Sequence, residues 1–189
     1  MEKTLDNVIT IYAEATPNPE SMKFVANIMM LPNDSADFRT IESSKDSPLA
    51  SALFELSFVK GVFIMNNFVS ITKNNDYEWF DLIPDLRAFF QEWLEAEKPI
   101  INPKKELTAE EESEIEKKIK MLLEEHVKPA VEMDGGAIDF KSFDNGVVTV
   151  ILKGSCSGCP SSTFTLKAGI ENLLKRMVPE VEAVEAEAQ

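Results

Sequence analysis

The chain has 189 residues, 44% of them hydrophobic and 12 of them phenylalanine, which is enough apolar content for one large core or two small ones. No run of about 18 apolar residues occurs, which argues against a membrane-spanning helix. The 33 acids against 19 bases give a net charge of −14, leave no basic patch to neutralise phosphates, and argue against nucleic-acid binding.

The start, Met1-Glu2-Lys3-Thr4-Leu5-Asp6, has neither an apolar signal core nor the Arg-rich, acid-poor character of an organelle presequence. A cytoplasmic location is therefore expected. There thiols stay reduced, and a Cys-x-x-Cys pair is metal-binding or catalytic rather than a structural disulfide.

Val8 to Ala15 and Met22 to Met30 read as strands separated by Thr16-Pro17-Asn18-Pro19-Glu20, a turn because each proline fixes φ and biases its predecessor away from helix. A short helix opens at Ser47 as N-cap with Pro48 in the first turn and runs to about Leu56. Val62 to Met65 and Phe68 to Thr72 flank the two-residue turn Asn66-Asn67. A helix follows from Trp79 to Ala96, with Phe80, Ile83, Leu86, Phe90, Trp93 and Leu94 as its inner stripe and Pro84 as a kink or first-turn marker. The aromatic set of this half, from Phe54 to Trp93, falls at core spacing, with an exposed subset as a candidate docking patch.

Two prolines and a charge cluster in Glu97-Lys98-Pro99-Ile100-Ile101-Asn102-Pro103-Lys104-Lys105-Glu106 mark a linker. The expected organisation is a domain over 1–97, a linker over 98–106 and a domain over 107–189. Past the seam, Thr108-Ala109-Glu110-Glu111 is a capping box, and the run Glu110-Glu111-Glu112 suits a helix N-terminus. The helix places Ile115, Ile119, Leu122 and His126 on one stripe, with Leu123 and Val127 beside it, and Pro129 ends or bends it. Asp134-Gly135-Gly136 turns the chain into a strand from Ala137 to Phe143, Asp144-Asn145-Gly146 closes a hairpin, and Val147 to Leu152 returns. Pro160 to Met177 is a helix packing Phe164, Leu166, Ile170, Leu173, Leu174 and Met177, and Val181 to Ala186 is a last strand. The class is α/β (α+β): two small two-layer domains joined by a Pro-containing linker.

The chemistry resides in Gly154-Ser155-Cys156-Ser157-Gly158-Cys159-Pro160-Ser161-Ser162, which holds both cysteines of the chain on a strand-to-helix turn. Helix N-terminal amides and the macrodipole favour the thiolate form there. The glycines let the backbone bend around a bulky ligand, and the serines offer hydroxyls to the sulfurs. Two thiolates fill half of a four-ligand zinc or iron-sulfur site.

Several readings stay open. A thioredoxin-like dithiol needs no metal, yet its pair follows the first strand of a βαβ unit rather than a hairpin. Zinc could bridge a homodimer or add His126, although zinc modules usually place two ligand pairs in one chain. Mere packing of the cysteines is disfavoured by a Gly- and Ser-rich turn without apolar cover. A cluster bridging two chains fits the ligand count best. Asp134-Gly135-Gly136 reads as a tight turn with close backbone approach, or as a lining of that site.

The second half resembles the NifU-like C-terminal domain of Nfu iron-sulfur scaffold proteins through Val127-Lys128-Pro129-Ala130-Val131-Glu132-Met133-Asp134-Gly135-Gly136, the cysteine run to Thr163, Leu166-Lys167-Ala168-Gly169-Ile170-Glu171 and Val178-Pro179-Glu180-Val181. The first half is similar to the Nfu N-terminal domain through Thr16 to Phe24, Ser47-Pro48-Leu49-Ala50 and Gly61-Val62-Phe63. The resemblance implies that Cys156 and Cys159 of two subunits hold a labile 4Fe-4S cluster, loaded by upstream assembly proteins and delivered to apo iron-sulfur clients. It implies a homodimer when the cluster is bound, and a carrier rather than an enzyme.

Overall fold

The computed structural model describes residues 8–102, 113–156 and 160–188. The chain divides into two compact units, Met1–Pro103 and Lys104–Gln189. Each combines helices with one sheet.

In the first unit, strands β1 (Ile11–Ala15), β2 (Ser21–Ala26), β3 (Leu31–Phe38), β4 (Val59–Asn66) and β5 (Phe68–Lys73) form an antiparallel sheet in the order β1-β2-β5-β4-β3. Helices α1 (Pro48–Phe54) and α2 (Trp79–Glu95) share a core with the strand residues Phe24, Ile64, Val69 and Ile71. Phe24 and Phe90 meet with ring centroids 5.3 Å apart. The hairpin between β4 and β5 turns on Asn66 at φ +48°, a conformation that asparagine tolerates.

Three expectations for this unit are corrected. Strand β3 was not expected, because LPNDSADF has the composition of a loop. It is an edge strand whose register with β4 slips between Leu31 and Ser35, with Asn33 at φ +58°, so Pro32 and Asn33 sit where ladder bonds are already interrupted. The buried row of α2 is Leu82, Leu86, Phe90 and Leu94, a strict four-residue repeat, and Phe80, expected on the inner stripe, is 88% exposed because it lies about 200° around the helix from Leu82.

The front of the expected linker is the third correction. Ile100 and Ile101 pack on the first core, the Ser47 hydroxyl donates to the Ile100 carbonyl at 2.7 Å, and the Asn102 amide donates to the Asp46 carbonyl at 2.7 Å. Two isoleucines in succession gain more from burial than a solvated tether would.

In the second unit, α3 (Glu114–His126) and α4 (Lys128–Met133) precede the antiparallel pair β6 (Gly136–Asp144) and β7 (Val147–Gly154). Helix α5 (Pro160–Met177) then carries the chain to β8 (Ala183–Ala188), which pairs parallel to β7. The sheet order is β6-β7-β8. The hairpin turns on Asn145 and Gly146, both at positive φ, as a two-residue type I′ turn requires.

Here too the outcome differs in detail. The box expected at Thr108 and Glu111 lies outside the described residues. Helix α3 is capped by Ser113, whose hydroxyl accepts from the Glu116 amide at 3.2 Å while Glu116 accepts from the Ser113 amide at 2.8 Å, the same signature further along the chain. Pro129 starts a new helix, α4, rather than only ending one, so the order is α-α-β-β-α-β. In α5, Ile170 and Leu174 are buried, while Phe164 and Met177, expected in the core, are exposed.

Two outcomes follow. Ser47→Ala removes both the α1 cap on the Ala50 amide (3.1 Å) and the tie to Ile100, and should cost the first unit about 1–3 kcal/mol in denaturant unfolding. In the second unit, the Glu171 carboxylate accepts from Lys175 and from the Val184 amide, which hold its pKa below the ordinary carboxylate range and tie α5 to β8. Because the folded value is the depressed one, this stabilisation is complete above about pH 5 and is lost as pH falls through the lowered value. Glu171→Gln should therefore flatten the acid limb of the stability-versus-pH curve.

Candidate metal-cluster site

Strand β7 reads VVTVILKG, and its alternate residues Val148, Val150, Leu152 and Gly154 face inward. Its last pair in the ladder is Gly154 with Gly136, the first residue of β6. Gly154 then takes φ +66°, and the chain leaves the sheet as the cysteine turn.

The α4–β6 turn seats that departure. Gly135, at φ +79°, donates to the Glu132 carbonyl at 3.1 Å and ends α4. Its own carbonyl accepts from the Ser155 amide at 3.3 Å, and the Ser155 hydroxyl donates to the Asp134 carbonyl. Gly136 is required by space: a methyl group on it would stand 2.6 Å from the Lys153 carbonyl oxygen and 2.8 Å from Cys156 Sγ. The motif Asp134-Gly135-Gly136 is thus the floor of the cysteine turn, and both sequence readings of it, tight turn and lining, describe the same contact.

Cys156 is 5% exposed and belongs to the apolar cluster that includes Val131, Ile138 and Leu152. The sequence expectation that the turn has no apolar cover is corrected for this residue. Serine and glycine neighbours do not cover it; the cover comes from the tertiary fold. Cys159 lies outside the described residues; in sequence it immediately precedes Pro160, where α5 and its N-terminal amides begin.

His126 ends α3 on the exposed side. Among the described residues no three His, Cys, Asp or Glu side chains gather as a metal site, and no helix is long and apolar enough to cross a membrane. A separate concavity of about 460 Å³ lies between α3 and the sheet, over Ile138, Phe140 and Ile151. Its charges are engaged within the unit, Lys128 with Glu124 at 2.7 Å and Lys153 with Asp139 at 2.5 Å, and it offers no sulfur.

Two residues close to the turn in sequence were not expected at the surface: Met133 was not singled out, and Phe164 was expected in the core. Met133, one residue before Asp134, and Phe164, five residues after Cys159, are each 76% exposed. Their signal would have been angular: Phe164 lies about 120° around α5 from Ile170 and about 80° from Leu174, off the buried row.

A glycine-floored cysteine turn leading into a helix is an arrangement in which a thiolate pair can serve as soft metal ligands. Family models place the chain accordingly: residues 11–97 match the N-terminal domain of scaffold protein Nfu/NifU, and residues 119–185 match the NifU-like domain. The chain is 40% identical over 179 residues to the human "NFU1 iron-sulfur cluster scaffold homolog, mitochondrial", covering 93% of this chain and 70% of that protein. It is 40% identical over 185 residues to "NifU-like protein 5, mitochondrial" of Arabidopsis thaliana, covering 94% and 67%. A third relative, the NFU1 homolog of Drosophila willistoni, is 38% identical over 180 residues, covering 93% and 62%. The chain belongs to the Nfu/NifU family of scaffold proteins.

These names overturn the expected cytoplasmic location, since each places its protein in the mitochondrion. The composition of residues 1–6 describes those residues and does not report the compartment in which the folded chain works.

Gly136→Ala should push the cysteine turn off the start of β6. Overpacking of this kind costs about 1–3 kcal/mol. In a Cys159→Ser background, Cys156 should become more rapidly alkylated than with Gly136 intact, as read by mass spectrometry.

Proposed function

We propose that this protein is an iron-sulfur cluster scaffold and carrier that holds a 4Fe-4S cluster between two copies of the chain, with Cys156 and Cys159 of each copy as ligands, and passes it to apo iron-sulfur proteins. One observation carries the reading: a family-typical NifU-like unit provides a single Cys-x-x-Cys pair, at the start of α5 and on a glycine floor. A cubane takes four thiolates, so two chains supply a complete set and one chain supplies half.

The residues present suit this cargo. Thiolates are soft ligands of the kind iron-sulfur clusters take, and the N-terminus of α5 favours their negative charge. Gly136 keeps a side chain out of the space beside Cys156, Gly154 supplies the positive φ at which the chain leaves the sheet, and the Ser155 hydroxyl anchors the turn to the Asp134 carbonyl. Ligands divided between two chains can be released by separating the chains, which is the property a donor needs. Upstream assembly proteins would load the cluster, and the protein would not itself turn over a substrate. The names of its relatives support the scaffold role.

Anaerobic reconstitution with iron and sulfide should give broad visible absorption and about four iron per two chains, and Cys159→Ser should abolish both. The holo protein should activate an apo client of the four-iron class under chelator faster than free iron and sulfide do. Full zinc occupancy without iron uptake would instead establish a zinc-bridged dimer. Reduction of insulin disulfides by the apo form would establish a dithiol oxidoreductase.

A further inference from the structure

We infer that the outward face of α5, with Met133 at its rim, is the surface on which the second copy docks to complete the cluster; this rests on the proposal that two chains share it. The outward residues of the helix from Phe164 onward on this side are Phe164, Thr165, Ala168, Gly169 and Asn172, with Lys175 and Arg176 at its far end. None is acidic, in a chain that is 28% charged and carries −14. They subtend about 140° on the side of α5 opposite Ile170 and Leu174.

Charge argues for a second copy on this face. Two chains of −14 repel one another, and they can approach closely only where neither presents acid. The half-buried Glu171 at the edge of the face is neutralised by Lys175 at 2.6 Å.

Apolar exposure argues the same way. Of the large apolar side chains described in the second unit, Met133 and Phe164 are the two most exposed, and they approach the cysteine turn from opposite sides in sequence: Met133 through Asp134, whose carbonyl holds Ser155, and Phe164 from the second turn of the helix that the cysteines precede. A rim of this kind excludes water from a contact whose centre is the shared cargo.

Gly169 supplies the third argument. Among the described residues a methyl group built there meets nothing within 4 Å, so neither packing against them nor backbone conformation calls for glycine in mid-helix, where alanine is favoured. What glycine permits is close approach of another backbone. The incomplete ligand set supplies the occupant: the helix that carries the face follows the cysteines directly in sequence, and a like face across a two-fold axis brings the second pair to the first.

Gly169→Leu and Phe164→Glu in the full-length protein test this, with Phe80→Glu, on an exposed position of the first unit, as control. Each is reconstituted and followed by sedimentation and by cluster loss to an iron chelator. Apo Gly169→Leu should melt no lower than the parent chain, because its added side chain enters open space. Both α5 variants should weaken the holo dimer and speed cluster loss by about tenfold or more, the scale of a disrupted central contact, while Phe80→Glu should behave as the parent. Should Phe164→Glu fail to fold, Gly169→Leu alone decides. Parent-like dimers and retention in both variants would overturn the inference. So would intact dimers that lose only transfer to an apo client, a result that would assign the face to the client. A parent chain that takes up no cluster, or takes it up as a monomer, would instead remove the shared-cluster reading itself.

Discussion

The contact between Gly136 and Cys156 is the constraint on which the second unit depends. With a hydrogen in place of a side chain at the head of β6, the cysteine turn can lie against the strand backbone, and the Asp134 and Gly135 carbonyls become the acceptors that hold Ser155. Everything else about the turn follows from where β7 ends. Its parallel partner β8 requires a crossover, α5 is that crossover, and so a helix N-terminus is brought to the end of the strand that delivers the cysteines.

The arrangement also accounts for the cover over one sulfur: Cys156 is part of the apolar cluster of its unit, with Val131, Ile138 and Leu152, and is 5% exposed. The first unit has its own core of strands and two helices and contains neither cysteine.

Local rules were legible in the sequence wherever backbone chemistry is decided by adjacent residues. Ser47 with Pro48 announced a helix, Asn66-Asn67 and Asn145-Gly146 announced hairpins, and the Gly- and Ser-rich cysteine run announced a strand-to-helix turn. What escaped was decided by tertiary partners. Edge strand β3 exists because β4 offers a ladder to a segment with poor strand character. Ile100 and Ile101 dock because the first core has room for them, although prolines and charges around them read as a tether. Phe80 and Phe164 were assigned inward on hydrophobicity alone, whereas the rows beginning at Leu82 and at Ile170 define the buried faces. The cover over Cys156 comes from residues as distant in sequence as Val131. The cysteine pair itself needed no tertiary information, since the spacing and the count stand in the sequence.

Native mass spectrometry of the reconstituted, full-length protein bears most directly on the central claim, because it weighs chains and cargo together. The account requires a species of two chains plus one four-iron four-sulfur unit that collapses to bare single chains when the cluster is removed. A single chain carrying a complete cluster, or a two-chain species bridged by zinc alone, would contradict it.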